Sequence, residues 1–155
     1  MASQQDHLAQ AARNEATIKF LMQDKESHGG WIATVAFYTA LHYIEAVFLS
    51  LAAGLHNHDH GARFKMLKSL AGKNSDFGLI YKRYRILFAA SCIARYLEYN
   101  DGTSKKPVYK GFGAFRDSPY AKVEDQILSV CLKDVKNTVF GILERRQQKE
   151  QAQKK

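Results

Sequence analysis

Cysteine is scarce in this chain of 155 residues: Cys92 and Cys131 are the only two. Each lies in an apolar, helix-like context without pairing or ligand spacing, which argues against a disulfide framework or a zinc knuckle and casts both as buried thiols. A leader pattern is missing as well. The opening MASQQDHLAQAARNEA is polar and mixed in charge, with neither an apolar signal core nor an Arg-rich transit pattern, so a cytoplasmic protein is expected. The sequence holds no strand alternation, internal repeat or low-complexity tract. It also lacks a phosphate-cradling P-loop, a dinucleotide fingerprint and a nucleophile elbow, and no cofactor is expected.

Long apolar runs are equally rare. The one from Trp31 to Ala53 is, at roughly 20 residues, long enough to cross a bilayer. His42 and Glu45 would then lie near its centre, where an acidic side chain costs on the order of 3 kcal/mol. A central buried helix is the better reading, and no membrane partner is expected.

What is present suits one soluble domain: 46% of residues are apolar and 25% charged. The net charge of +8 is uneven. Residues 1–55 carry −2, residues 56–122 carry +8 and residues 123–155 carry +2. A basic middle favours a polyanionic partner if those residues share a surface, and otherwise serves solubility.

Five helices follow from periodicity and breakers. Ser3 to Gln23 forms the first, with Ser3 and Asp6 as a capping box and Leu8, Ala11, Ala12, Ala16, Phe20 and Leu21 as its apolar stripe. Ser27 to Gly30 break it. The second runs from Trp31 to about Ala53, closed by Gly54. A short third covers Asp59 to Ala71, and a long fourth covers Phe77 to Leu97, capped by Ser75 or Asp76. Glu98 to Asp117 reads as a basic mobile loop, and Ser118 with Pro119 starts a fifth helix that reaches about Gln148. The expected fold is all-α, an antiparallel up-and-down bundle of four long helices plus one short helix. Residues 1–148 form the single domain, and 149–155 a solvated tail.

Helical spacing puts Thr34, Tyr38, His42 and Glu45 on one arc of the second helix, amid Val35, Phe37, Leu41, Ile44, Phe48 and Leu51. An unpaired buried polar group costs about 1–3 kcal/mol, so this stripe must meet water, a partner or a ligand. On the fourth helix, Leu79, Ile80, Ile86, Leu87, Ala90, Ile93, Ala94 and Leu97 read as the core side. Tyr81, Tyr84, Arg85, Phe88, Ser91, Cys92 and Arg95 form a mixed aromatic and basic side. Arg85 and Arg95 are the expected counter-charges of Glu45, in a polar cleft with an imidazole or in a structural ion pair that sets helix register.

These segments resemble the HEPN superfamily (higher eukaryotes and prokaryotes nucleotide-binding domains). The matching elements are W-x5-FYTALHYIEA from Trp31 to Ala46, H-x-x-R at His60 to Arg63, Y-x-x-Y-R-x-L at Tyr81 to Leu87 and S-x-x-A-R-Y at Ser91 to Tyr96. They span about half the chain, and their order and helical placement agree with HEPN bundles. The resemblance implies a helical bundle that dimerises, binds RNA or nucleotides and works with a cognate partner in defence or toxin–antitoxin systems. The family's ribonucleases are metal-independent and carry an arginine, a polar residue and, several residues on, a histidine. No histidine follows His60 in this chain, so neither Arg85 nor Arg95 can open that signature.

Three readings therefore remain: a HEPN-like dimeric RNA- or nucleotide-binding module, a non-catalytic helical interaction module, and a weak ribonuclease. In the last, His42 or His60 takes the 2′-OH proton, with Glu45 as a further member of the site, and Arg63, Arg85 or Arg95 stabilises the phosphorane. Tyr38, Arg85 and Tyr96 are expected nucleotide contacts. Lys105, Lys106, Lys110 and Arg116, interleaved with Phe112 and Phe115, could hold phosphates and stack bases, or merely connect helices. H-N-H-D-H at His56 to His60 resembles, one residue short, the zinc signature of metallo-β-lactamase-like hydrolases. Without strands or a later histidine to complete a site, no metal is expected.

Overall fold

The computed structural model describes residues 2–51, 59–96 and 123–153, and among them the chain is all-α with no strand. Helix α1 spans Gln4–Leu21 and begins at the expected capping box, in which the Asp6 backbone N–H donates to Ser3 Oγ and the Ser3 backbone N–H to Asp6 Oδ2. Its buried face differs from the expected one. His7, Ala11 and Ile18 are buried, whereas Ala12 and Ala16 are exposed and Phe20 is 67% exposed. Alanines, apolar but small, gain little by burial and mark a stripe poorly.

A single 3-10 turn, Met22–Asp24, leads into α2, Lys25–Leu51. The helix passes straight through Gly29 and Gly30, where a break was expected. Asp24 Oδ1 accepts the Ser27 N–H at its start, and Gly29 is buried. A Cβ on Gly30 would lie 3.5 Å from Ala94 Cβ, so Gly30 faces α4 inside a continuous helix rather than marking a stop.

Helix α3, His60–Ala71, is capped by Asp59, which accepts the Gly61 and Ala62 N–H groups. Helix α4, Ser75–Tyr96, is capped by Asn74, whose Oδ1 accepts the Asp76 N–H, instead of by Ser75 or Asp76. Its core face is Phe77, Ile80, Tyr84, Leu87 and Ser91, at alternating three- and four-residue spacing. Tyr84 and Ser91, expected on the mixed side, are thus interior, whereas Leu79, expected in the core, is exposed and Ile86 is partly buried against it.

The last helical stretch is π-wound over Val123–Leu132 and continues as α5, Lys133–Gln153. Its apolar residues Val123, Ile127, Cys131, Val135 and Val139 recur every four positions, longer than the α repeat of about 3.6. The wider π turn keeps the first three on one face. Helix α5 extends past residue 148 into the segment read as a tail, and its last turns are exposed.

Helix α2 is the centre: it packs on α1, α4, the π-helical stretch and α5, while α3 lies on α4. Ile32, Phe37, Ile44 and Phe48 of α2 are essentially fully buried, each contributing about 1.5–3 kcal/mol of transfer free energy. The stretch of α1 and α2 that is apolar enough to cross a membrane is mostly buried inside the protein. Arg83 to Asp134 and Arg145 to Asp76 tie α4 to α5. The breaker Gly54, Leu97, the loop 98–117 and the Ser118–Pro119 helix start lie outside the described residues.

Candidate functional site

Glu45 sits in the middle of α2 with no exposed surface, and its counter-charge comes from α3. Arg63, 3% exposed, donates from Nε to Glu45 Oε1 at 2.5 Å. The expected counter-charges on α4 are elsewhere. Arg85 is exposed and lies 5.7 Å over the Tyr81 ring. Arg95 is half-buried, donates from Nε to the Ser91 carbonyl at 3.2 Å and lies 4.9 Å from the centre of the Tyr96 ring.

One helical turn before Arg63, His60 presents Nδ1 to Arg63 Nη1 at 3.1 Å. Asp59 fixes the start of α3 and so the direction in which this His–x–x–Arg pair projects. Aromatic rings box it in. The His60 ring is 5.3 Å from Phe37 and 5.6 Å from Phe88, Phe37 stacks on Tyr84 at 5.3 Å, and Phe64 packs against both Tyr84 and Phe88. Burial, then the charges of Arg63 and Arg95, push the His60 imidazole below its ordinary pKa, against the pull of Asp59. Burial raises the Tyr84 phenol despite the adjacent Arg63 guanidinium, and keeps it protonated.

His42 turns the other way. Its Nδ1 lies 2.9 Å from Nδ1 of His7 on α1, the rings tilted by 38° at 5.2 Å, so one ring donates and the other accepts. Burial and the neighbouring His7, with smaller effects from Arg63 and Arg13, lower His42 to about 4 in spite of Glu45. The imidazole is therefore neutral at pH 7, and it does not face Arg85 or Arg95. Beside it, Tyr43 donates its hydroxyl to Glu15, which also pairs with Lys136 and so links α1, α2 and α5. Thr34 satisfies its hydroxyl on the Gly30 carbonyl, and Tyr38 lies half-buried against Phe37.

The expected site residues thus divide. Glu45, Arg63 and His60 come together with Phe37 and Tyr84, Arg95 stays against Ser91 and Tyr96 of its own helix, and His42 joins His7 instead. Arg85 lies apart on Tyr81. Sequence reasoning missed His7, for which no pattern existed, and Tyr84, whose three- and four-residue spacing from Ile80 and Leu87 marked it as interior. Among the described residues no three His, Cys, Asp or Glu are placed to hold a metal ion. Cys92 is half-buried rather than buried, Cys131 is buried, and both are held as thiols at neutral pH by burial, Cys131 up to about 11. His56 and His58 of the zinc-like segment, and Lys105, Lys106, Lys110, Phe112, Phe115 and Arg116, lie outside the described residues.

Chemically, the assembled part offers a half-buried imidazole backed by a buried ion pair, and no activated nucleophile. Comparison with known proteins gives no matching family model, no matching curated protein and no matching solved structure.

Proposed function

We propose that this chain is a HEPN-like module, an antiparallel bundle that dimerises and binds RNA or nucleotide in the cytoplasm, as effector or partner subunit of a prokaryotic defence or toxin–antitoxin system. One observation supports it above others: three of the four sequence segments that carry the resemblance pack together at His60, while the fourth is linked to it only through the charge of Arg95. Phe37 comes from the first, His60 and Arg63 from the second, Tyr84 from the third, and Arg95 from the fourth. Convergence of separated motifs on one partly exposed imidazole suits a binding site better than scattered packing. The basic middle of the sequence suits an anionic ligand.

A second reading, a non-catalytic helical interaction module, is favoured by the Glu45–Arg63 pair, which is too deeply buried to touch a ligand and can act as a register pin. Purification separates the two. A binding module carries nucleic acid with high 260 nm absorbance that salt strips off, because phosphate contacts weaken steeply with ionic strength. Protein that is free of nucleic acid at low salt and leaves added RNA unbound supports the interaction module. Size-exclusion chromatography with light scattering is expected to give twice the monomer mass.

A further inference from the structure

A cleft of about 560 Å³ opens between the start of α1, the end of α2 and α5, and it shares no lining residue with the His60 group. Its size falls within the roughly 300–1,000 Å³ of small-molecule sites. Leu8, Leu49 and Leu143 are half-buried in its wall, and Phe140, 37% exposed, is held edge-on to Tyr43 at 5.7 Å. Three helices thus turn apolar surface towards a space that the bundle itself leaves unfilled.

The charges lining the cleft are unmatched. Arg146 is half-buried in the wall, its Nε is shut off from solvent, and the side chain makes no hydrogen bond or ion pair with any described residue. Its chain neighbour Arg145, by contrast, pairs with Asp76. A covered donor without an acceptor works against stability, and an oxyanion entering the cleft relieves it. Glu150, four residues on and in helical reach of Arg146, does not pair with it, and Glu144 is unpaired as well; both line the cleft and are exposed. A phosphate would meet two carboxylates besides the arginine, and a simple cation would meet the arginine. A molecule bearing one charge of each sign and an apolar body suits the whole lining.

We propose that this cleft binds a small apolar zwitterion of about the size of a dipeptide. Arg146 turns the planar edge of its guanidinium to the carboxylate, Glu144 or Glu150 takes the ammonium group, and the apolar side chains lie on Leu8, Leu49, Leu143 and Phe140. The proposal is independent of the nucleic-acid reading, and RNA binding or its absence does not bear on it.

Isothermal titration calorimetry of the full chain with leucyl-leucine tests it. Saturable binding with a Kd below about 1 mM is expected. The N-acetyl form, which lacks the ammonium, and the C-terminal amide, which lacks the carboxylate, should each bind on the order of tenfold more weakly or worse, as should glycyl-glycine. Arg146→Met keeps the apolar stem and removes the covered donor, so its Tm should be no lower than the parent's while leucyl-leucine binding falls by tenfold or more. With Glu144→Gln and Glu150→Gln combined, the free and N-acetyl forms should bind alike. No binding of leucyl-leucine, or an amide that binds as tightly as the free dipeptide, overturns the proposal. A lowered Tm with unchanged affinity in Arg146→Met gives the arginine a structural role and also overturns it. A nucleoside monophosphate that binds the parent, outcompetes the dipeptide and is lost in Arg146→Met overturns the zwitterion as occupant.

Discussion

A carboxylate without exposed surface in an apolar helix is the most demanding residue in this protein. Glu45 survives there because Arg63 meets it at hydrogen-bond distance; a buried charge left unpaired is strongly destabilising. Arg63→Met is therefore expected to cost about 3–5 kcal/mol in urea unfolding, and Glu45→Met about as much, while the double variant recovers most of the loss. Single variants within 1 kcal/mol of the parent would mean that the pair contributes little. The histidines give a pH signature. The folded pKa of His42, about 4, lies below its ordinary 6.5, so between these values the unfolded chain binds more protons than the folded one. Stability is then fully present above about 6.5 and is lost as pH falls towards 4; His60, also lowered, adds in the same direction. The urea midpoint should drop between pH 6.5 and 4.5, and His42→Asn should shrink that drop. At this scale the sequence marked His42 and Glu45 as interior polar groups needing partners, but chose the wrong partners. A helical wheel gives the angle of a side chain on its own helix and not which neighbour stands opposite, so the arginines of long α4 drew the assignment away from short α3.

Among the elements, α2 differs most from expectation. Gly29 and Gly30 have no intrinsic stopping power when both ends of the helix are held by packing. Because a Cβ on Gly30 would rest 3.5 Å from Ala94 Cβ, ordinary van der Waals contact, Gly30→Ala should raise stability by about 0.5–1 kcal/mol through helix propensity. Gly30→Val adds methyl groups to the same contact and should reverse that gain; thermal unfolding of the pair reads both signs. The starts of α1 and α3 were legible because Ser3 and Asp59 are capping residues with a local hydrogen-bond logic. The π winding was not, since a four-residue apolar spacing such as Val123, Ile127 and Cys131 is tolerated by an α-helix too.

For the whole molecule, the all-α class was written in helical periodicity, caps and the lack of strand alternation, all of them local signals. The meeting of α1, α2 and α5 through Glu15, Tyr43 and Lys136 is non-local and left no trace in spacing. Helix α3 has a special standing in the assembly. It packs chiefly on α4 and is tied to α2 by side chains, through Arg63 on Glu45 and His60 on Phe37. Hydrogen exchange should therefore find the α3 amides opening before those of α2 and α4, and Arg63→Met should speed them further. Each such opening would leave a bare carboxylate stranded in an oily groove until the helix returns. The penalty for that exposure makes lifting of α3 brief and all-or-none, so the surface bearing His60 exists either fully formed or not at all.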